Sequence, residues 1–356
     1  MSARKNSKIP KTEIGVVDPL ADPGYKRLIE KLPATLFLSR QWLAVLKATY
    51  QFKPEAVMVY ESGAEAACLP FVRLSDPGGK RVCALSFSDY CDPAFSDASQ
   101  TAAVFKVLRD LDPESAVNLR LLNSPDPPKN LGFKKLKSAR WHGLELGPGL
   151  DQLKSRLNPT FRRAVQKARK AGLKVRKLSH PELRIFFEFH LRVRKNRYRL
   201  LAQPFSFFEN IWENFMASAA GFFLGAFLDG GLIAAHCYLP WNKTLVFKFG
   251  ASDYLFQNLR ANNLLHWSAV ELALDSGFSD LDLGLSDDDQ PGLITYKRHL
   301  GAIEKEIRFF NFTPKAFVAA PGWKEGLKKI TETATSPETP DLVTEETGNI
   351  FYRFFA

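Results

Sequence analysis

Between Lys154 and Arg199 the sequence places 16 lysines and arginines against two acids, Glu182 and Glu188, while the whole 356-residue chain carries only +11. The excess is therefore one local stretch, and the rest of the chain is slightly acidic. A solvated protein surface ordinarily mixes both signs, so a run this one-sided points to an anionic partner. On one helix of that stretch Arg162, Arg163 and Lys167 cannot all face a core, and Arg194 and Arg197 cluster further on beside Tyr198. Such density suits a diphosphate on a nucleotide or lipid, or the backbone of tRNA. Carboxylates come next. Asp89 and Asp92 close the segment Ser88-Asp89-Tyr90-Cys91-Asp92-Pro93. In a cleft either could take a proton from an attacking amine, although an aspartate before proline is also a common turn former.

Other groups carry less. Asp280, Asp282, Asp287, Asp288 and Asp289 lack the glycine and terminal glutamate of a calcium loop, so no metal site is expected. The cysteines, Cys68, Cys83, Cys91 and Cys237, form no CxxC pair and read as buried free thiols in a reducing compartment. His236 reads as a satisfied core histidine. With 45% apolar residues and 29 phenylalanines the chain can build large cores, which excludes a mostly disordered protein.

The elements that must position these groups follow a repeated order. Ser39 caps a helix through Gln41–Leu46. Strands at 56–60 and 66–72 flank the turn Glu61-Ser62-Gly63, a strand at 82–87 leads into the Asp89–Asp92 loop, and a helix (99–111) and a strand (117–122) follow. The second half begins with a helix from Pro159 to Ala171, capped by Asn158 and stopped by Gly172, then helical regions at 181–197 and 204–217. Three strands joined by short hairpin turns come next (221–228, 232–239, 244–250), then a helix (261–276) and strands at 281–283 and 308–312. The reading is a mixed α/β chain of two similar halves. Its expected division is a loosely ordered tail over 1–30, domains over 31–150 and 151–315, and an extension over 316–356 that is loose apart from its aromatic end. No apolar stretch has the length of a signal peptide or membrane span, so a cytoplasmic protein is expected.

Five passages resemble the Fem-type and BioF-like branch of the GNAT N-acyltransferases. They are Phe37-Leu38-Ser39-Arg40-Gln41-Trp42-Leu43, the Leu85–Pro93 segment, Leu157–Ala168, Asn263–Glu271 with Gly277–Gly284, and Pro291–Ala302 containing Tyr296-Lys297-Arg298-His299. The resemblance implies tandem GNAT-like domains, each a mostly antiparallel twisted sheet flanked by helices. It also implies direct transfer of an acyl or aminoacyl group to an amine of a sugar, peptide or cell-envelope precursor.

Lys297 occupies the closing motif, where the family places a lysine near the reacting groups, to stabilise an oxyanion or hold a phosphate. Tyr296 flanks it, and Asp92 matches an aspartate proposed as base. Acetyl-CoA-using relatives hold the pyrophosphate on a glycine-rich turn. Here that stretch is Gln257-Asn258-Leu259-Arg260-Ala261-Asn262-Asn263, with no glycine. Its side chains Gln257, Asn258, Arg260 and Asn262 are the expected phosphate contacts, and aminoacyl-tRNA stands beside acyl-CoA as donor. The acceptor is expected to be anionic or linked to a lipid or nucleotide, with contact to the membrane surface compatible with the charge. A non-catalytic RNA- or phosphate-binding protein on the same fold is the alternative.

Overall fold

The computed structural model describes residues 12–217 and 221–356. Its first half runs β1 (Thr12–Val17), α1 (Pro23–Lys31), α2 (Arg40–Tyr50), β2 (Pro54–Glu61), β3 (Ala64–Asp76), β4 (Gly79–Cys83), β5 (Ala94–Phe95), α3 (Gln100–Asp110), β6 (Ala116–Leu121) and β7 (Lys134–Glu145). The second half opens with α4 (Leu150–Arg156), α5 (Pro159–Lys170), β8 (Lys174–Lys177), α6 (Glu182–Arg192) and α7 (Phe205–Ile211). It continues with β9 (Phe222–Leu228), β10 (Gly231–Trp241), β11 (Thr244–Ser252), α8 (Ala261–Asp275), β12 (Asp280–Ser286), α9 (Pro291–His299) and β13 (Ile303–Phe312). Two further helices, α10 (Trp323–Ala334) and α11 (Asp341–Phe351), end the chain.

Local chemistry explains the key elements. The Ser39 hydroxyl accepts the Trp42 N–H at the start of α2, and Trp42, Leu43, Leu46 and Tyr50 bury one stripe of that helix. Asn158 does the same for α5, where Phe161, Val165 and Ala168 face inward and the basic residues face out. The β2–β3 turn (Ser62, Gly63) and the β9–β10 turn (Asp229, Gly230) both place two residues at positive φ, the geometry that matches strand twist in a two-residue hairpin.

These two hairpins occupy equivalent places in a repeated sheet. Strand order is β1-β2-β3-β4-β6-β13-β7-β12-β11-β10-β9-β8, with β5 beside β3. Reading inward from either edge gives antiparallel strands, one parallel pair (β4–β6 and β11–β12), and a final antiparallel strand. That final strand is exchanged. β7, from the first half, completes the sheet of the second, and β13 completes the first; β7 and β13 then pair with each other along most of their length. Neither half can close its sheet alone. The larger core likewise mixes halves, with Trp42 and Phe71 in one cluster with Phe186, Phe208 and Phe223.

Two expectations are corrected. The tail expected to be loose over 1–30 holds β1, paired with β2, and α1; residues 1–11 lie outside the described residues. The last 35 or so residues form α10 and α11 rather than a loose extension. Their Thr- and Glu-rich text hid a thin buried stripe of Leu327, Thr331 and Ala334 on α10. Lys297 of the closing motif sits on the helix α9.

Candidate active site

β11 and β12 are paired only from Thr244↔Asp280 to Val246↔Asp282. Beyond that the β12 backbone turns at Gly284 (φ +70°), where a Cβ would stand 2.5 Å from Asp89 Oδ2. The strands part there, and a cavity of about 380 Å³ opens, lined by Asp89, Arg120, Lys248, Leu285, Lys297 and Tyr352 among others.

Lys297 is 4% exposed, and its Nζ donates to the carbonyls of Gly284 and Leu285, both at 3.0 Å. Two of its three N–H donors are thus spent and one is left. Burial pushes the ammonium down to about 8, against a partial upward pull from Asp89 and Asp282. A lysine so placed can hold a developing oxyanion or give up a proton near neutral pH. Asp89, from the first half, accepts from Lys248 Nζ at 2.5 Å and from the Leu285 N–H at 3.2 Å. Burial alone would raise its pKa, but the Lys248 charge and these hydrogen bonds hold it below the usual carboxylate range. Lys248 also lies over the rings of Phe37 and Trp42. Behind them the Tyr90 hydroxyl donates to Asp282 Oδ2 at 2.7 Å, and burial raises the Asp282 carboxyl pKa.

The other candidates are dispersed. Asp92 is buried and accepts three backbone N–H groups, from Leu122 (2.9 Å), Asn123 (3.0 Å) and Ser124 (3.1 Å). That use anchors the chain after β6, and Asp92 does not line the Lys297 cavity. The Tyr296 ring packs against Phe161 and His266, and burial raises its phenol pKa. Arg163, Lys167 and Arg260 come together with Tyr296 around a second cavity of about 350 Å³ beside the first turn of α8. No side chain caps that helix, and Arg260 holds a left-handed conformation (φ +62°) at its cap. Arg162 lies on another side of α5, donating to the Lys154 carbonyl at 2.9 Å. Gln257 and Arg197 share a small cavity of about 130 Å³, and Asn258 is exposed. Asn262 turns inward to His236 Nε2 (3.1 Å) and Ser252 Oγ (3.2 Å). His236 is the satisfied core histidine that the sequence implied.

The second part of the basic stretch is not a free surface. Arg184 grips Glu345 with two bonds of 2.8 and 2.7 Å, and Lys195 (4% exposed) donates to Asp341 at 2.9 Å. Arg192 reaches Asp341 at 3.3 Å, Arg199 donates to the Thr335 carbonyl at 2.6 Å, and Arg194 donates to the Leu201 carbonyl at 3.0 Å. Arg184, Arg192, Lys195 and Arg199 fasten α10 and α11 to the body of the protein, while Arg194 turns to its own loop and Arg197 stays exposed. The signal was in the sequence as the acids from Glu325 to Glu346. Sequence reasoning also missed Lys248, Tyr352 and Phe355, which line the Lys297 cavity. Nothing local marked them, because the exchanged sheet and the returning C-terminus bring them there.

Residues 155–298, which hold the β11–β12 opening and Lys297, match the family model described as an acetyltransferase (GNAT) domain. This part of the chain is a GNAT domain. Solved structures extend the likeness to both halves. FemX superposes with a TM-score of 0.64 at 14% identity, covering 84% of this chain and 96% of that one. A tandem GNAT protein from the clavulanic acid biosynthesis pathway gives 0.56 at 13% identity over 85% and 99% of the two chains. The C-terminal domain of a putative lysylphosphatidylglycerol synthetase from Agrobacterium fabrum gives 0.52 at 10% identity over 87% and 94%. A comparison with curated protein sequences gave no match. The chain therefore shares the fold of FemX and of that tandem GNAT protein over most of its length, and the strand opening at the Lys297 cavity lies within its GNAT domain. Among the described residues no helix is long and apolar enough to cross a membrane.

Proposed function

We propose that the chain is an N-acyltransferase that moves an acyl or aminoacyl group onto an amine of a sugar, peptide or cell-envelope precursor. The observation that carries this reading is Lys297, buried at the parting of β11 and β12 with one donor unspent. The neutral amine attacks the donor carbonyl carbon, a C–N bond forms, and the carbonyl electron pair moves to oxygen. The Lys297 ammonium stabilises that oxyanion. Collapse breaks the bond to the leaving thiolate or ribose oxygen, and the proton lost by nitrogen ends on that leaving group. No covalent enzyme intermediate is needed. Asp89 replaces Asp92 as the carboxylate beside the reaction, since Asp92 spends its oxygens on three backbone N–H groups.

The donor is an acyl-CoA or an aminoacyl-tRNA. Its phosphates would meet the first turn of α8, with Arg163, Lys167 and Arg260 around the neighbouring cavity. That turn has no glycine, so close backbone contact with a pyrophosphate is restricted and side chains must do more. The binding-only alternative loses part of its support, because Arg184, Arg192, Lys195 and Arg199 hold the C-terminal helices. The test is transfer from acetyl-CoA, longer acyl-CoAs and charged tRNA to amine acceptors, with Lys297→Met as the comparison.

A further inference from the structure

Arg120 lines the Lys297 cavity from the first half of the chain. It stands on β6 directly opposite Phe309 of β13, and its guanidinium lies 5.3 Å from the centre of that ring. In the next ladder Lys137 of β7 is opposite Phe309 in turn, its ammonium 4.7 Å from the same centre. One ring therefore supports two cations. Only one of them is neutralised. Lys137 donates to Asp287 at 3.0 Å, whereas Arg120 is in no ion pair among the described residues.

The other arginines along this seam are matched. Arg140 pairs with Asp288 and Glu304, Arg298 with Glu304, and Arg308 with Asp126. Arg120 instead donates from Nη1 to the Ser88 carbonyl at 2.9 Å, and Ser88 is itself held, its hydroxyl accepting the Trp42 indole N–H at 2.9 Å. A guanidinium has five N–H donors in a planar fork, so most of this one is uncommitted. Arg120 is half-buried. A cation partly withdrawn from water without a counter-charge costs stability, and the Phe309 ring offsets only part of that.

The charged residues that line the cavity are Asp89, Arg120, Lys248 and Lys297. Asp89 and Lys248 neutralise each other at 2.5 Å. Lys297 is turned to the Gly284 and Leu285 carbonyls, and its unspent donor serves the oxyanion in the reading above. One uncommitted positive charge remains, on Arg120. Much of the surrounding wall is apolar, from Phe249, Leu283, Leu293, Tyr352 and Phe355. A single planar fork in such a setting matches a planar monoanion, which it can hold through two parallel N–H···O bonds. A phosphate dianion would call for a second uncommitted cation.

We infer that Arg120 is a specificity residue for a carboxylate: the molecule held in the Lys297 cavity carries, besides its reacting group, a carboxylate that docks on the Arg120 guanidinium. The inference rests on the acyltransferase reading and narrows its substrate class. The carboxylate belongs either to the acceptor, an amine of amino-acid type, or to the acyl group of a dicarboxylic donor.

The test begins with calorimetric titration of the intact protein with hexanoate, charged at pH 7, and with its neutral isostere hexanamide. Wild type is expected to bind hexanoate about tenfold more tightly, a factor ordinary for a charge-assisted hydrogen-bonded contact. Arg120→Gln can still donate to the Ser88 carbonyl and should lose the preference. Arg120→Lys keeps the charge without the fork and should retain only part of it. Lys297→Met should keep most of it. Equal affinities in wild type, an unchanged preference in either Arg120 variant, or its loss in Lys297→Met would overturn the proposal.

Two arms then locate the carboxylate. With the donor that wild type accepts, kcat/KM for 6-aminohexanoate against 6-aminohexanamide tests the acceptor. Succinyl-CoA against butyryl-CoA tests the acyl group. A gain of similar size is expected in one arm and should vanish in Arg120→Gln; equality in both arms would overturn the proposal. Titration does not depend on turnover, so the two readings fail separately. If hexanoate is preferred while no donor gives transfer that depends on Lys297, the catalytic reading fails and the carboxylate site stands. If transfer depends on Lys297 while hexanoate and hexanamide bind alike, the reverse holds.

Discussion

Asp89 and Lys297 hold the same residue from opposite sides. Asp89 Oδ2 accepts the Leu285 N–H at 3.2 Å, and Lys297 Nζ donates to the Leu285 carbonyl at 3.0 Å. Asp89 comes from the first half and Lys297 from α9 of the second, so the bend of β12 is clamped only when the halves are together. The Lys297 cavity is thus a product of the exchanged sheet, not of either half.

Asp89→Asn should loosen this clamp and strand Lys248, whose side chain is 5% exposed. Breaking a fully buried pair costs about 3–5 kcal/mol; Asp89 is 20% exposed at its side chain, so about 2–4 kcal/mol is expected in urea unfolding. Asp89 has a depressed pKa, so its contribution is present above the unfolded carboxylate value and is lost as pH falls through the folded one. The variant should show that acid-side loss less than wild type. Removing the charge also removes an upward pull on Lys297, so the alkaline limit of activity should move to lower pH.

Lys297 itself predicts a stability slope of the opposite origin. Its folded pKa, about 8, lies below its unfolded value, 10.5, so the unfolded chain binds more protons between them. Stability should therefore rise with pH across that window, by roughly 3 kcal/mol relative to Lys297→Met. Parallel pH–stability curves for the two proteins would refute the buried charge. Activity should fall above about pH 8 as the ammonium is lost.

The C-terminal helices should matter to both stability and the cavity. Tyr352 is 8% exposed and packs 5.1 Å from Phe87, ring centre to ring centre. Tyr352→Ala is expected to cost about 3 kcal/mol, read by denaturant unfolding, and to enlarge the Lys297 cavity. Longer acyl donors should gain relative to acetyl in that variant.

The basic stretch should divide by function. Replacing Arg163, Lys167 and Arg260 with glutamine should weaken donor binding and flatten its salt dependence. Replacing Arg184 and Lys195 should lower the melting temperature without that change in slope. Acetyl-CoA should bind weakly by calorimetry; a low-micromolar dissociation constant, about −7 to −8 kcal/mol, would restore an ordinary glycine-cradle strength of binding.

Much of the fold was legible because local chemistry marks it. Ser39, Asn158 and Gly172 set helix ends, and Ser62-Gly63 and Asp229-Gly230 set hairpins, where the sequence reading expected them. β7 was not legible. Lys134, Lys135, Lys137 and Arg140 give it the polarity of a loop, and its ladder partners are a strand of the other half and one more than 150 residues away. Lys297 could be named from its motif, but its burial could not, since that depends on α9 packing under the β12 bend. Lys248 and Tyr352 had no motif and reach the cavity only through topology. The charge of the 154–199 stretch was plain, yet half of its meaning lay in the acids of the C-terminus, 146 to 161 residues on.

The most direct test is product formation followed by mass spectrometry, with acyl-CoAs and charged tRNA as donors and amine acceptors in excess, for wild type and Lys297→Met. Circular dichroism should show the variant folded, since methionine fills the lysine's space. The account predicts transfer by wild type with at least one donor and a loss of about 100- to 1000-fold in the variant, the size of removing one oxyanion donor. A folded Lys297→Met protein that turns over at the wild-type rate would contradict it.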